Sequence, residues 1–140
     1  QASDKDISAV MSLLPLQGDD PFRLDHFTER RAQLHENRGM TPSEIETTIR
    51  SFDDGSPEGA ARAGHHATLF NLHQGALAWY DLALTRGGHR SALQVSRGLT
   101  FQRLHDAEQA INAFTEAAVS APDDPEIRQF LFALSGPDLP

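Results

Sequence analysis

Cysteine is absent from the 140 residues, which removes disulfides, thiolate metal sites and thiol nucleophiles together. Lysine is almost absent, since eleven of the twelve basic residues are arginine and Lys5 stands alone. That skew, with the abundant alanine, points to a GC-rich source genome rather than to chemistry. Positive charge is short overall: at a net charge of −8 the chain has no basic stripe to release counterions from a phosphate backbone, so no nucleic-acid partner is expected. Long apolar runs are missing too. The longest, Ala9 to Leu16, is broken by Ser12 and Pro15 and is too short to span a bilayer. Nor does any stretch alternate polar and apolar residues as a half-buried strand does. What remains is a chain of one-domain length whose 39% hydrophobic content suffices for an elongated helical core.

Helix punctuation is abundant. Ser56-Pro57, Asp124-Pro125, Asp20-Pro21 and Thr41-Pro42 each set a capping side chain before a proline suited to the first helical turn, and Thr41 with Glu44 has capping-box spacing. Stops fall at Gly39, at Gly87-Gly88 and at Gly136-Pro137. Between these marks apolar residues recur at three and four, as in Ile111, Phe114, Ala118 and Val119. The pattern predicts helices near 5–14, 21–38, 42–52, 57–73, 75–86, 90–104, 107–120 and 125–135. Their short connections predict antiparallel neighbours.

Self-comparison at an offset of 34 aligns Gly64 with Gly98, Ala76 with Ala110, Tyr80 with Phe114 and Ala83 with Ala117. The second unit reads Gly98-x2-Phe101, then Ala110-x3-Phe114-x2-Ala117, then Pro122. Small residues at such places let two helices approach while the aromatic fills the space toward the next unit. This pattern resembles the tetratricopeptide (TPR) family. The resemblance implies an all-α fold of antiparallel helical hairpins stacked as a short right-handed solenoid. Its units would be 57–90 and 91–124, preceded by a degenerate hairpin within 1–56 and followed by a capping helix and tail over 125–140. Phe130, Leu131, Phe132 and Leu134 surround that last helix more fully than one inner face requires.

Catalytic signatures are lacking. Seven histidines include His65, His66 and His73, but the i, i+4 spacing of a helical zinc site is missing, and His65 and His66 point about 100° apart on a helix. They are expected as surface or groove histidines, with no metal. The pairs Asp19-Asp20, Asp53-Asp54 and Asp123-Asp124 fall at helix starts and turns, where capping accounts for them. No nucleophile elbow, P-loop or calcium loop occurs, so no enzyme and no cofactor are expected.

The function implied by the resemblance is protein–protein interaction, with a peptide or partner subunit held in a concave groove lined by the first helix of each pair. The groove residues are then Arg62, His65, Leu69, Val95, Leu99, Gln102 and Arg103, with the arginines suited to a partner carboxylate. The family's chaperone-binding branch uses Lys and Asn where this chain has Ala61, His65, Ser96 and Glu126, so that activity is not implied. Two alternatives stand beside this reading. One is the non-catalytic helical region of a larger bacterial enzyme of methyltransferase or protease type, since the chain starts at Gln1 without an initiator Met and Gly136 to Pro140 reads as a linker. The other is a self-assembling scaffold, a weak homodimer formed through Phe130 and Phe132. The compartment is undetermined, and both bacterial cytoplasm and periplasm fit.

Overall fold

A computed structural model describes residues 21–27 and 39–135. The expected helix at 5–14, the Asp19-Asp20 pair and the tail after Ser135 lie outside the described residues. Among the described residues six α-helices follow in order: α1 (Pro42–Ser51), α2 (Pro57–Leu69), α3 (His73–Thr85), α4 (Arg90–Arg103), α5 (Ala107–Ser120) and α6 (Pro125–Ser135). There is no strand among the described residues, and no helix among them is long and apolar enough to cross a membrane.

The starts form where capping chemistry placed them. Thr41 accepts from the Glu44 amide and the Glu44 carboxylate takes the Thr41 amide, closing the capping box on α1. Ser56 accepts from the Gly59 amide and Asp106 from the Gln109 amide. Asp53 and Asp54 take the Gly55 and Ser56 amides in the turn before α2. The predicted ends hold to within a residue or two, except at the first hairpin. There α2 stops at Leu69 rather than His73. Asn71 adopts a left-handed φ of 66° and the Leu72 amide reaches back to the Ala67 carbonyl, a helix stop that uses asparagine where glycine is usual. His66 and His73, expected on one helix, therefore belong to two.

The 34-residue offset recurs in three dimensions. Helix α2 packs on α3 and α4 packs on α5, each pair forming a hairpin. A Cβ built on Gly64 would lie 2.6 Å from the Tyr80 ring, and one on Gly98 would lie 2.6 Å from the Phe114 ring. The aligned alanines 76, 83, 110 and 117 have no exposed surface. His105, 34 positions after Asn71, takes the same left-handed turn at φ 59° and is followed by the same return bond, Asp106 amide to Phe101 carbonyl. A histidine there is strained, because its Cβ crowds the carbonyl. His105→Gly is expected to raise stability by about 0.5–1 kcal/mol, read as a higher urea midpoint at unchanged slope.

Two apolar clusters fill the interior. The first joins α1, α2 and α3 through Ile49, the alanines of α2, Phe70, Ala76, Tyr80 and Ala83, and continues to Phe22 and Leu93. The second joins α4, α5 and α6 through Val95, Ala110, Phe114, Ala117 and Ile127. Phe130 belongs to it, stacked on Phe114 with ring centroids 4.9 Å apart, whereas Phe132 is 59% exposed.

One prediction fails within the described part of 21–38. Residues 21–27 are no α-helix but a turn and a single 3-10 turn, Leu24–His26, with extended backbone at Arg23 and Phe27 on either side of it. The Pro21 and Phe22 carbonyls and the Leu24 amide are taken by side chains of α2 and α4.

Candidate peptide-binding face

The segment Pro21–Phe27 runs over α2, α4 and the start of α6, and its backbone is held by two buried polar side chains. Ser96 on α4 has no exposed surface; its hydroxyl accepts from the Leu24 amide at 2.8 Å and donates to the Phe22 carbonyl. His65 on α2 is equally buried. Its Nε2 lies 3.0 Å from the Pro21 carbonyl and its Nδ1 2.8 Å from the Tyr80 hydroxyl. A carbonyl only accepts, so Nε2 donates to it, and both ring nitrogens have hydrogen-bond partners. Burial pushes the Tyr80 phenol above its ordinary range, which keeps it protonated.

Side chains of the segment are gripped as well. Phe22 and Leu24 are each 8% exposed, and the Phe22 ring lies over Gly88, where a Cβ would come within 3.1 Å of it. Phe27 meets the His65 ring at 4.7 Å and the His66 ring edge-on at 5.3 Å, while Phe52 stacks on the His66 ring at 3.9 Å. These contacts correct the surface reading of the two histidines: both are interior, one bonded to the segment and both enclosed by rings.

Arg23 is the polar anchor. Its guanidinium, 6% exposed, reaches Asp25 at 2.7 Å, Asp124 at 3.2 Å and Glu126 at 3.2 Å. Burial works against the charged form there, but the bond to Asp25 and the three carboxylates outweigh it and raise the Arg23 pKa. Asp124 serves two purposes, since its Oδ1 accepts from the Glu126 amide at the start of α6 and its Oδ2 pairs with Arg23. Asp25, His26 and Glu126 bring one ligand atom each within 4.8 Å of one another, the one metal-compatible group among the described residues. Arg23 already places a cation between its two carboxylates.

No family model, no curated protein and no solved structure matches the chain.

The seven residues expected to line a groove separate into three groups. His65, Leu69 and Val95 are buried, His65 beneath the segment and Val95 within the second core cluster. Leu99 and Gln102 are half-buried, and Arg62 and Arg103 are exposed. Only His65 among them has a hydrogen bond or ring contact to Pro21–Phe27. Ser96, Asp124 and Glu126, which carry most of the grip, were not among the seven. Asp124 reads in the sequence as a helix cap, and Ser96 and Glu126 enter there only as departures from the chaperone-binding pattern.

A second concavity of about 500 Å³ lies between α1 and the first hairpin, lined by Ile49, Ala67, Leu72, Trp79 and Leu82 with Glu46 and Arg50 at its edge. Beside this hairpin Arg86, near the end of α3, pairs with Asp53 at 2.6 Å. The bond from Arg86, with the Gly55 amide, holds the Asp53 carboxyl below the usual range. A carboxyl with a depressed folded pKa contributes stability above its ordinary value of about 3.9 and loses it as pH falls through the lower folded value. His73, whose pKa burial and then Arg103 lower, adds a loss that begins below its ordinary value of about 6.5. Urea titrations are thus expected to show stability declining on acidification, and Asp53→Asn to flatten the part of that decline below about pH 4.

Proposed function

We propose that this chain is a protein-interaction module of tetratricopeptide type that holds an extended polypeptide segment across α2, α4 and the start of α6. The observation that carries the reading is the seating of Pro21–Phe27. Buried side chains meet its backbone carbonyls and an amide, and this mode of contact recognises main chain independently of sequence. The repeated hairpins at an offset of 34 support the family assignment. Alanine-rich α2, with ten of thirteen residues buried, supports a preformed platform rather than one that folds around its ligand.

Displayed random heptapeptides selected on the full chain test the reading. Selected peptides are expected to shift the NMR signals of His65, Ser96 and Leu24, and to expose the Leu24 amide to exchange. A selection that yields no binder, or binders whose shifts avoid α2 and α4, overturns it.

A further inference from the structure

Resting on that reading, we infer the chemistry of the partner: an extended segment, supplied by another protein, with an arginine directly after an aromatic residue and an aliphatic residue directly after the arginine. Asp124 and Glu126 select the arginine. The chain's own Phe22-Arg23-Leu24 displays the mode, with all three side chains almost wholly buried although they are consecutive. Phe22 fills the space over Gly88, Leu24 aligns its amide with Ser96, and Arg23 is directed to the first turn of α6.

Charge complementarity explains why arginine is selected. Three carboxylates face one guanidinium, so the site remains electronegative even when filled. Two of them, Asp124 and Glu126, belong to the platform and persist when the segment leaves; Asp25 leaves with it. The planar guanidinium uses separate nitrogens for Asp124 and for Asp25 with Glu126, a fork that a lysine ammonium lacks. The tethered copy competes with an outside segment at an effective concentration of millimolar order, so the intact chain binds such a partner weakly until its own segment is loosened.

Fluorescence anisotropy with a labelled peptide of the sequence Pro-Phe-Arg-Leu-Asp-His-Phe tests this on the full chain. Arg23→Ala is expected to bind the peptide at least tenfold more tightly than the unaltered protein, because the internal competitor is weakened. Replacing the peptide's arginine by glutamine is expected to cost at least tenfold on Arg23→Ala, and adding Asp124→Asn with Glu126→Gln to erase that preference. Equal binding of both peptides to Arg23→Ala overturns arginine selection and leaves the binding face intact. Failure of both peptides to bind a folded Arg23→Ala protein, judged by circular dichroism, overturns the face as well. A concentration-dependent dimer that exchanges its segments, seen by light scattering, makes a second copy the occupant and overturns the inference. Should Arg23→Ala not fold, hydrogen exchange at Leu24 in the unaltered chain decides: release by the arginine peptide and not by the glutamine peptide supports it, and equal release overturns it.

Discussion

Phe114→Ala is expected to destabilise the chain by about 3–5 kcal/mol, the range for deleting a fully enclosed aromatic ring. The ring has no exposed surface, stacks on Phe130 and joins α4, α5 and α6 in one cluster. Its sharper consequence lies across the hairpin at Gly98. In the unaltered chain Gly98→Ala would put a Cβ 2.6 Å from that ring, and overpacking of this kind costs about 1–3 kcal/mol. Once the ring is gone the Cβ meets open space, and alanine in mid-helix is favoured over glycine by about 0.8–1.0 kcal/mol. Gly98→Ala should therefore be destabilising alone and stabilising in the presence of Phe114→Ala. Urea unfolding of the four proteins in this cycle measures the coupling. Additivity within about 0.5 kcal/mol would show that glycine and ring do not interlock. Gly64 and Tyr80 form the sister pair, where the same reversal is expected.

The residues of that interlock were legible in the sequence, because a repeat writes each position twice, but the pairing was not: the aromatic was expected to face the next unit, whereas each ring lies against the glycine of its own hairpin. Gly64 with Tyr80 and Gly98 with Phe114 share one spacing, and the alanines between them mark the places without room. Helix starts were legible for a local reason: Thr41 and Ser56 bond amides three residues on, so their neighbours suffice to identify them. The stop at Leu69 was harder, since Asn71 and His105 take the left-handed turn without glycine, and only their shared place in the repeat marks them. Residues 21–27 were misread because every local signal favours a helix. Asp20-Pro21 looks like a cap, and Phe22, Leu24 and Phe27 look like an apolar face. The deciding partners, His65, Ser96 and Asp124, lie between 44 and 101 residues away. No propensity or period encodes a bond at that distance. The same holds for His65 and His66, whose burial follows from rings on three other elements.

Ser96→Ala is the most direct probe of that non-local grip. The hydroxyl satisfies one amide and one carbonyl of a segment 72 to 74 positions earlier, and both bonds are buried. Alanine fits the space but leaves two polar groups without partners, each worth about 1–3 kcal/mol while it stays buried. The segment has a way to limit that loss: it can lift away and hydrate Leu24 and Phe22, at the expense of burying their side chains. The expected result is a melting temperature lower by several degrees, together with loss of exchange protection at the Leu24 amide. Thr85→Val is the matched control. That exposed hydroxyl donates only to the Asp81 carbonyl of its own helix, so its removal should stay within about 0.5 kcal/mol and leave Leu24 protected. If Ser96→Ala lowers stability while Leu24 stays protected, the hydroxyl supports α4 rather than the segment, and the face does not bind main chain. If protection is lost while α2 to α6 stay helical, the platform outlives its own ligand. An interaction module needs that independence, because a partner can enter only where the resident segment leaves without unfolding what held it.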